Sequence, residues 1–146
     1  TPWTSVWQAE LGNVPMAKKL RSIKRLFQLD QQYEGYQSLY LFPFTMLSST
    51  YSYSYSLQHF FPSAQPWRTH FSSRLLNGAV KQSSAAALQG FFDSSARMNR
   101  QVFDEDHAIC KRIAKDAADN PRFGILSSDE EKIAHFLACL LAAASN

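Results

Sequence analysis

The chain has 146 residues, 45% of them apolar and 14% aromatic, which is enough apolar material for one hydrophobic core and excludes a disordered chain. The net charge of +3 excludes a broad nucleic-acid-binding surface, because the basic residues gather in one short cluster. The longest nearly uninterrupted apolar run, 136–144, is far shorter than the roughly 20 residues of a membrane span, so neither nucleic acid nor a membrane is an expected partner.

A short basic helix is predicted in the first 35 residues, which we treat as an N-terminal segment. Asn13 suits the N-cap and Pro15 the first turn, and apolar residues then recur at steps of three and four. The outer side of this helix carries Lys18, Lys19, Arg21, Lys24 and Arg25. One interpretation is an interaction protein whose salt-sensitive partner binding depends on this cluster.

Residues 36–78 are predicted to form three or four antiparallel strands. Extended runs at 39–42 and 45–50 are followed by a strict alternation, and a last run at 67–76 ends at a turn that begins with Asn77. In the alternating run one side carries Tyr51, Tyr53, Tyr55, Leu57, His59 and Phe61, and the other carries Ser52, Ser54, Ser56 and Gln58.

Residues 83–146 are predicted to form a long helix and a C-terminal helix, separated by a break at 120–124. The long helix has one stripe at alternating steps of three and four, which runs from Leu88 to Ala117. Ser128 and Glu131 are predicted to form a capping box for the last helix. Cys110 and Cys139 lie in apolar helical contexts and are predicted to be buried, reduced thiols, which favours a cytoplasmic location.

Asp106 is the main candidate functional residue, because it falls in the apolar stripe of the long helix while Asp104 and Glu105 are rotated toward solvent. A buried carboxylate costs several kcal/mol unless a partner compensates its charge. Three alternatives are open: a metal ion, an ion pair with Arg68 or Arg74, or protonation.

The histidines are possible partners of Asp106 in an iron site of two histidines and one carboxylate. His59 and His70 lie on neighbouring predicted strands and could approach each other, although a strand histidine is more often a hydrogen-bonded wall residue. His107 is rotated by roughly 100° from Asp106 on a helix and cannot easily bind the same ion. His135 is expected to be a surface or core residue of the last helix.

Several segments, in the same order, resemble the C-terminal half of the catalytic domain of Rieske ring-hydroxylating oxygenase α subunits. They are Ser38-Leu-Tyr-Leu-Phe-Pro43, Tyr55-Ser-Leu-Gln-His-Phe-Phe-Pro62, Thr69-His-Phe-Ser-Ser-Arg74 and Val102-Phe-Asp-Glu-Asp-His-Ala-Ile-Cys110. The closing Gly124-Ile-Leu-Ser-Ser-Asp-Glu-Glu131 with His135 and Phe136 is similar to the last helix of that family. The resemblance runs from about Tyr36 to Phe136.

The resemblance implies an α+β, helix-grip (START/Bet v1-like) fold, in which an antiparallel sheet wraps a long helix. Asp106 matches the carboxylate ligand of a mononuclear Fe(II), and Asn99, Val102 and Phe103 would lie at the substrate. The family's two iron-binding histidines, and the cysteine and histidine pairs of its [2Fe-2S] Rieske cluster, have no match in this chain. The resemblance therefore implies a partial catalytic domain that is inactive by itself.

In the complete enzyme, the resemblance implies that electrons pass from NAD(P)H through a ferredoxin or reductase to the Rieske cluster and then to Fe(II). There O2 is used to hydroxylate or oxidatively dealkylate a small organic substrate, and the subunits form a homotrimer. The alternative is a non-enzymatic helix-grip module that binds a hydrophobic small molecule between sheet and helix. That alternative explains the tyrosine-lined strand and does not require that part of a catalytic domain is missing from the chain.

Overall fold

The computed structural model describes residues 3–10, 18, 21–22, 35–50, 54–65, 67–77, 85–113 and 124–145. They form an α+β fold with one five-stranded antiparallel sheet and two helices. The strands are β1 (Thr4–Glu10), β2 (Gly35–Leu41), β3 (Thr45–Thr50), β4 (Ser54–Pro62) and β5 (Thr69–Asn77), and they lie in the sheet in chain order. The helices are α1 (Ala85–Cys110) and α2 (Glu131–Ala144), and a 3-10 turn over Ser128–Glu130 precedes α2.

The antiparallel sheet predicted between residues 36 and 78 is confirmed as the four strands β2 to β5. Strand β1 was not predicted. It pairs with β2 from Thr4 opposite Leu41 to Glu10 opposite Gly35, so part of the predicted N-terminal segment belongs to the sheet. A strand whose partner lies far along the chain has no hairpin turn beside it, and the turn is the strongest local signal for strand pairing.

The predicted alternation along β4 is confirmed for its described residues, and it is the polar side that lies under the helices. Ser38, Ser48 and Ser56 are directly opposite one another across β2, β3 and β4, and all three are buried. We call their side of the sheet the helix-facing side, because α2 contacts Ser38 and α1 contacts Phe71 on it. The opposite side carries a row of half-buried leucines: Leu39, Leu47 and Leu57.

Helix α1 is longer than the sheet that it packs on. Its 26 residues span about 39 Å at 1.5 Å per residue, whereas a nine-residue strand spans about 30 Å. Ser95 is buried and Asn99 and Phe103 are half-buried, but every residue from Asp104 to Ile113 is exposed. The last third of α1 therefore extends beyond the packed part of the fold.

The capping box before α2 lies one residue earlier than predicted. The capping box is formed by Ser127 and Glu130 instead of Ser128 and Glu131, and the Glu130 carboxylate accepts the Ser127 backbone N–H at 2.8 Å. The physical reason is the 3-10 turn, which begins the helical conformation before the first residue of the α-helix.

The predicted basic helix falls mostly outside the described residues, as does the predicted break at 120–123. Lys18, Arg21 and Ser22 are described as helical, and the Ser22 hydroxyl donates to the Lys18 carbonyl oxygen at 3.1 Å. Among the helices that the structure describes, none is both long enough and apolar enough to cross a bilayer.

Candidate functional site

Asp106 lies on the exposed last third of α1, so the prediction that its side chain is buried is wrong. The cause is the axial position of the residue, not its rotation about the helix. Val102 and Ile109 lie on the same helix face, and they are exposed too, Val102 by 46% and Ile109 by 61%. Ile113 lies beyond the end of α1 at Cys110, so the predicted stripe does not continue through it as one helix. Asp106 thus belongs to an apolar face that is open to solvent. We call Val102, Asp106 and Ile109 the open face of α1.

The ion pair predicted as one alternative for Asp106 is not formed among the described residues. The guanidinium of Arg68 donates to the Gln65 side-chain oxygen at 3.5 Å. Arg74 lies opposite Leu57 and therefore on the side of the sheet away from the helices. Neither cation is placed to neutralise Asp106.

The described residues do not assemble a metal site by themselves. Within the described ranges, no group of three or more histidine, cysteine, aspartate or glutamate residues could hold a metal ion. Asp106 can supply one carboxylate oxygen, whereas an iron site of the two-histidine, one-carboxylate type needs three protein ligands. The other two would have to come from outside these ranges.

The strand histidines cannot supply those ligands, because they lie on the side of the sheet away from α1. His59 is opposite Ser72 and His70 is opposite Phe61, which places both on the leucine-bearing side. His59 Nδ1 is 3.1 Å from the Thr45 hydroxyl, so its interpretation as a hydrogen-bonded wall residue is confirmed. His107 is exposed on α1.

The predicted substrate-lining residues separate into two groups. Asn99 and Phe103 are half-buried, whereas Val102 is exposed. The Phe103 ring meets Phe71 edge-on with centroids 4.9 Å apart, and Phe71 meets Phe60 at 5.1 Å. Phe60, Phe71 and Phe103 form what we call the aromatic cluster, which joins α1 to β4 and β5.

A polar cluster, in which Ser48, Ser56 and Gln58 are buried and Ser73 is exposed, adjoins the aromatic cluster on the helix-facing side. The amide nitrogen of Gln58 donates to the hydroxyls of Ser48 and Ser56, at 3.3 Å each, and the hydroxyls of Ser56 and Ser73 are 3.1 Å apart. We call these four residues the amide–hydroxyl cluster. They meet because Ser48 pairs with Ser56 and Gln58 with Ser73 across adjacent strands.

Gln58 and Ser56 were predicted to lie on a polar side of the strand but without a functional role, and the aromatic cluster was not predicted. The spacing of residues along β4 and β5 could have indicated both clusters. Gln58 precedes Phe60 by two residues on β4 and Ser73 follows Phe71 by two on β5, so each strand carries one polar and one aromatic side chain in succession on the same side.

A second group of titratable side chains joins α2 to β2. The Lys132 ammonium donates to the Ser38 hydroxyl at 2.8 Å, and the Phe136 ring contacts Tyr40 with centroids 5.7 Å apart. Burial lowers the pKa of Lys132 below its usual value of 10.5. Burial also raises the pKa of Tyr40, and the nearby Cys139 thiol adds to the increase.

The lowered pKa of Lys132 predicts a pH-dependent contribution to stability. In the alkaline range just below pH 10.5 the unfolded chain holds more protons at this lysine than the folded chain, so stability should rise with pH there. The Lys132→Met variant should lack this rise of the free energy of unfolding with pH. Urea unfolding of both proteins from about pH 7 upward measures the difference, and the contribution of Tyr40 cancels because both proteins retain it. If the free energy of unfolding changed with pH to the same extent in both proteins, the prediction would be contradicted.

The cysteines were predicted to be buried and reduced. Cys139 is buried, with its sulfur 3.8 Å from the ring nitrogens of His135, but Cys110 is exposed, because it lies in the last third of α1. Neither cysteine forms a disulfide.

Comparison of the chain with protein-family models, with curated proteins and with solved structures finds no match. The functional interpretation therefore depends on the residues and their geometry.

Proposed function

We propose that the chain is the C-terminal part of the catalytic domain of a Rieske-type non-haem iron oxygenase, with a helix-grip fold and Asp106 as the carboxylate ligand of mononuclear Fe(II). The observation that carries the proposal is the position of Asp106 in the middle of the open face of α1. Apolar side chains on both sides of a carboxylate are expected where further protein covers the helix and a cation neutralises the charge. Exposure of Asp106 together with its apolar neighbours is consistent with that arrangement.

The order of the elements also supports the proposal. The segments that resemble the oxygenase family form β2, β4 and β5 of one antiparallel sheet and the long helix α1, whose Phe103 contacts Phe71 on the helix-facing side. Such a sheet with its helix is the architecture that the resemblance implies. Asn99 and Phe103, which are half-buried on the same helix, would border the substrate.

The chemistry proposed for the complete enzyme is hydroxylation or oxidative dealkylation of a small organic substrate with O2. Fe(II), when bound, supplies the activation of O2, and Asp106 occupies one protein position in its coordination sphere. Electrons would come from NAD(P)H by way of a ferredoxin or reductase, and a segment outside this chain would hold the [2Fe-2S] cluster. We further propose a cytoplasmic homotrimer, and the exposed Cys110 thiol suits a reducing compartment.

The alternative, a non-enzymatic module that holds a hydrophobic molecule between sheet and helix, has less support. This alternative requires the tyrosine-bearing side of β4 to face the ligand. Tyr55, the tyrosine of that run that the structure describes, lies opposite Leu76 on the side away from the helices. The side under the helices carries serine hydroxyls and the Gln58 amide, which suit a ligand with a polar group.

Sequencing the complete reading frame that encodes this chain, and expressing the protein from it, tests the proposal. It should also encode, upstream, a helix with two iron-binding histidines and the cysteine and histidine pairs of a Rieske cluster. The protein expressed from it should contain both iron centres, detected by electron paramagnetic resonance and iron analysis. A frame that lacks these residues, or a protein that holds no iron, would refute the oxygenase assignment.

A further inference from the structure

Strand β5 lies at the edge of the sheet, where one side of its backbone faces no described strand. The strands lie in the order β1 to β5, so β5 pairs with β4 alone among the described strands. Within residues 69–76 only Leu75 is half-buried, and the others are exposed. The outward N–H and C=O groups of such an edge can pair with a strand of another chain.

The sequence of β5 lacks the features by which proteins commonly protect a sheet edge. Its register with β4 is uninterrupted from Ser54 opposite Asn77 to Pro62 opposite Thr69, so the strand is regular along its nine residues. The segment contains no proline and no lysine, and its one formally charged residue is Arg74. Pairing with another strand is therefore not blocked by the side chains of β5.

The opposite edge of the sheet is better covered. Strand β1 has seven residues, of which Thr4, Ser5 and Ala9 are half-buried, and α2 contacts it. At β5, by contrast, the contact between Phe103 of α1 and Phe71 leaves Phe71 44% exposed. Of the two edges, β5 is the one that is more accessible to another chain.

The sequence of β5 is compatible with antiparallel pairing to a second copy of itself. With a two-fold axis at Ser73, the middle residue of the strand, all nine residues have a partner, and Ser73 lies opposite its own copy. Phe71 then lies opposite Leu75, which joins two apolar residues on the helix-facing side. Ser72 lies opposite Arg74, so the two arginines are not directly opposed. An axis at Arg74 would oppose them.

We propose that the chain forms a homodimer by antiparallel pairing of two β5 strands, which joins the two five-stranded sheets into one continuous sheet. The pairing adds about eight to ten backbone hydrogen bonds, a number typical of a protein–protein interface. An edge about 30 Å long and about 10 Å across covers about 300 Å² per copy, less than the roughly 800 Å² of a stable complex. The dimer is therefore weak and depends on concentration. It goes beyond the proposed function and requires no iron.

Analytical ultracentrifugation of the 146-residue chain from about 1 to about 500 µM tests the proposal. The dimer fraction is expected to rise over this range. Ser73→Lys and Ser73→Glu should each weaken the dimer about fivefold, because like charges then lie directly opposite each other. An equimolar mixture of the two variants should dimerise at least as well as the unchanged chain, because opposite charges then meet.

The matched control is Gln8→Lys, which places the same charge at an exposed position on the β1 edge and should leave the dimer unchanged. Ser73 is exposed, so neither of its variants buries a charge. A chain that is monomeric over the whole range, or a dimer that the Ser73 variants do not weaken, would overturn the proposal. A mixture of the two variants that dimerises no better than either alone, or a dimer that Gln8→Lys disrupts, would overturn it too.

Discussion

Replacing Asp106 with alanine in the proposed oxygenase is expected to remove the proposed mononuclear iron and to lower turnover more than about 100-fold. Changes in groups that merely orient metal ligands typically cost 10–100-fold in metal affinity or activity, and loss of a ligand should cost more. With the carboxylate gone, the remaining ligands cannot complete a site of two histidines and one carboxylate. Iron content per protomer and product formation measure the two effects separately.

Asp104→Ala is the matched control for that experiment. Asp104 is an exposed aspartate on the same turn of α1, but it lies about 160° around the helix from the centre of the open face. Its loss should leave iron content and turnover close to those of the unchanged enzyme. If Asp106→Ala retained full iron and turnover, or if Asp104→Ala lost them equally, Asp106 would not be the iron ligand.

Phe136→Ala is expected to destabilise the fold by about 2–3 kcal/mol. Phe136 is the aromatic contact between α2 and the sheet, with ring centroids 5.7 Å from Tyr40 and 5.9 Å from Phe42. Truncating a buried phenylalanine typically costs 3–5 kcal/mol, and the half-buried position of Phe136 reduces that figure. Urea unfolding of the chain gives the difference in the free energy of unfolding.

The control for Phe136 lies on the same helix. Leu141 is 69% exposed, so Leu141→Ala should change the free energy of unfolding by no more than about 0.5 kcal/mol. Equal losses in the two variants would show that α2 does not pack on β2 through Phe136.

The elements with strong periodicity were predictable from the sequence. The four strands between residues 36 and 78 and both helices follow from alternation, from proline and glycine positions, and from steps of three and four residues. Strand β1 was not predictable in the same way, because its pairing with β2 is non-local. The 3-10 turn moved the capping box by one residue, which is within the usual uncertainty of helix ends.

The alternation along β4 separated its two sides correctly but could not tell which side the helices cover. The rule that apolar residues are buried would have chosen the tyrosine and leucine side. The structure buries Ser48, Ser56 and Gln58 instead, and their mutual hydrogen bonds offset the loss of water. Such a network depends on register across strands, and a pattern within one strand does not contain it.

The position of Asp106 shows the corresponding limit for a helix. Periodicity fixes the direction of a side chain around the helix axis, and it placed Asp106 on one face with Val102, Ile109 and Ile113. It does not fix where along its length the helix leaves the sheet. The prediction of burial was wrong for that reason, whereas the shared face remains the basis of the proposed iron site.

The most direct measurement is a crystal structure of the protein expressed from the complete reading frame, with Fe(II) bound. In that structure a carboxylate oxygen of Asp106 is expected within bonding distance of the iron, and other parts of the protein are expected to cover Val102 and Ile109. An iron held without Asp106, or an Asp106 side chain that remains in solvent in that protein, would contradict the proposed iron site.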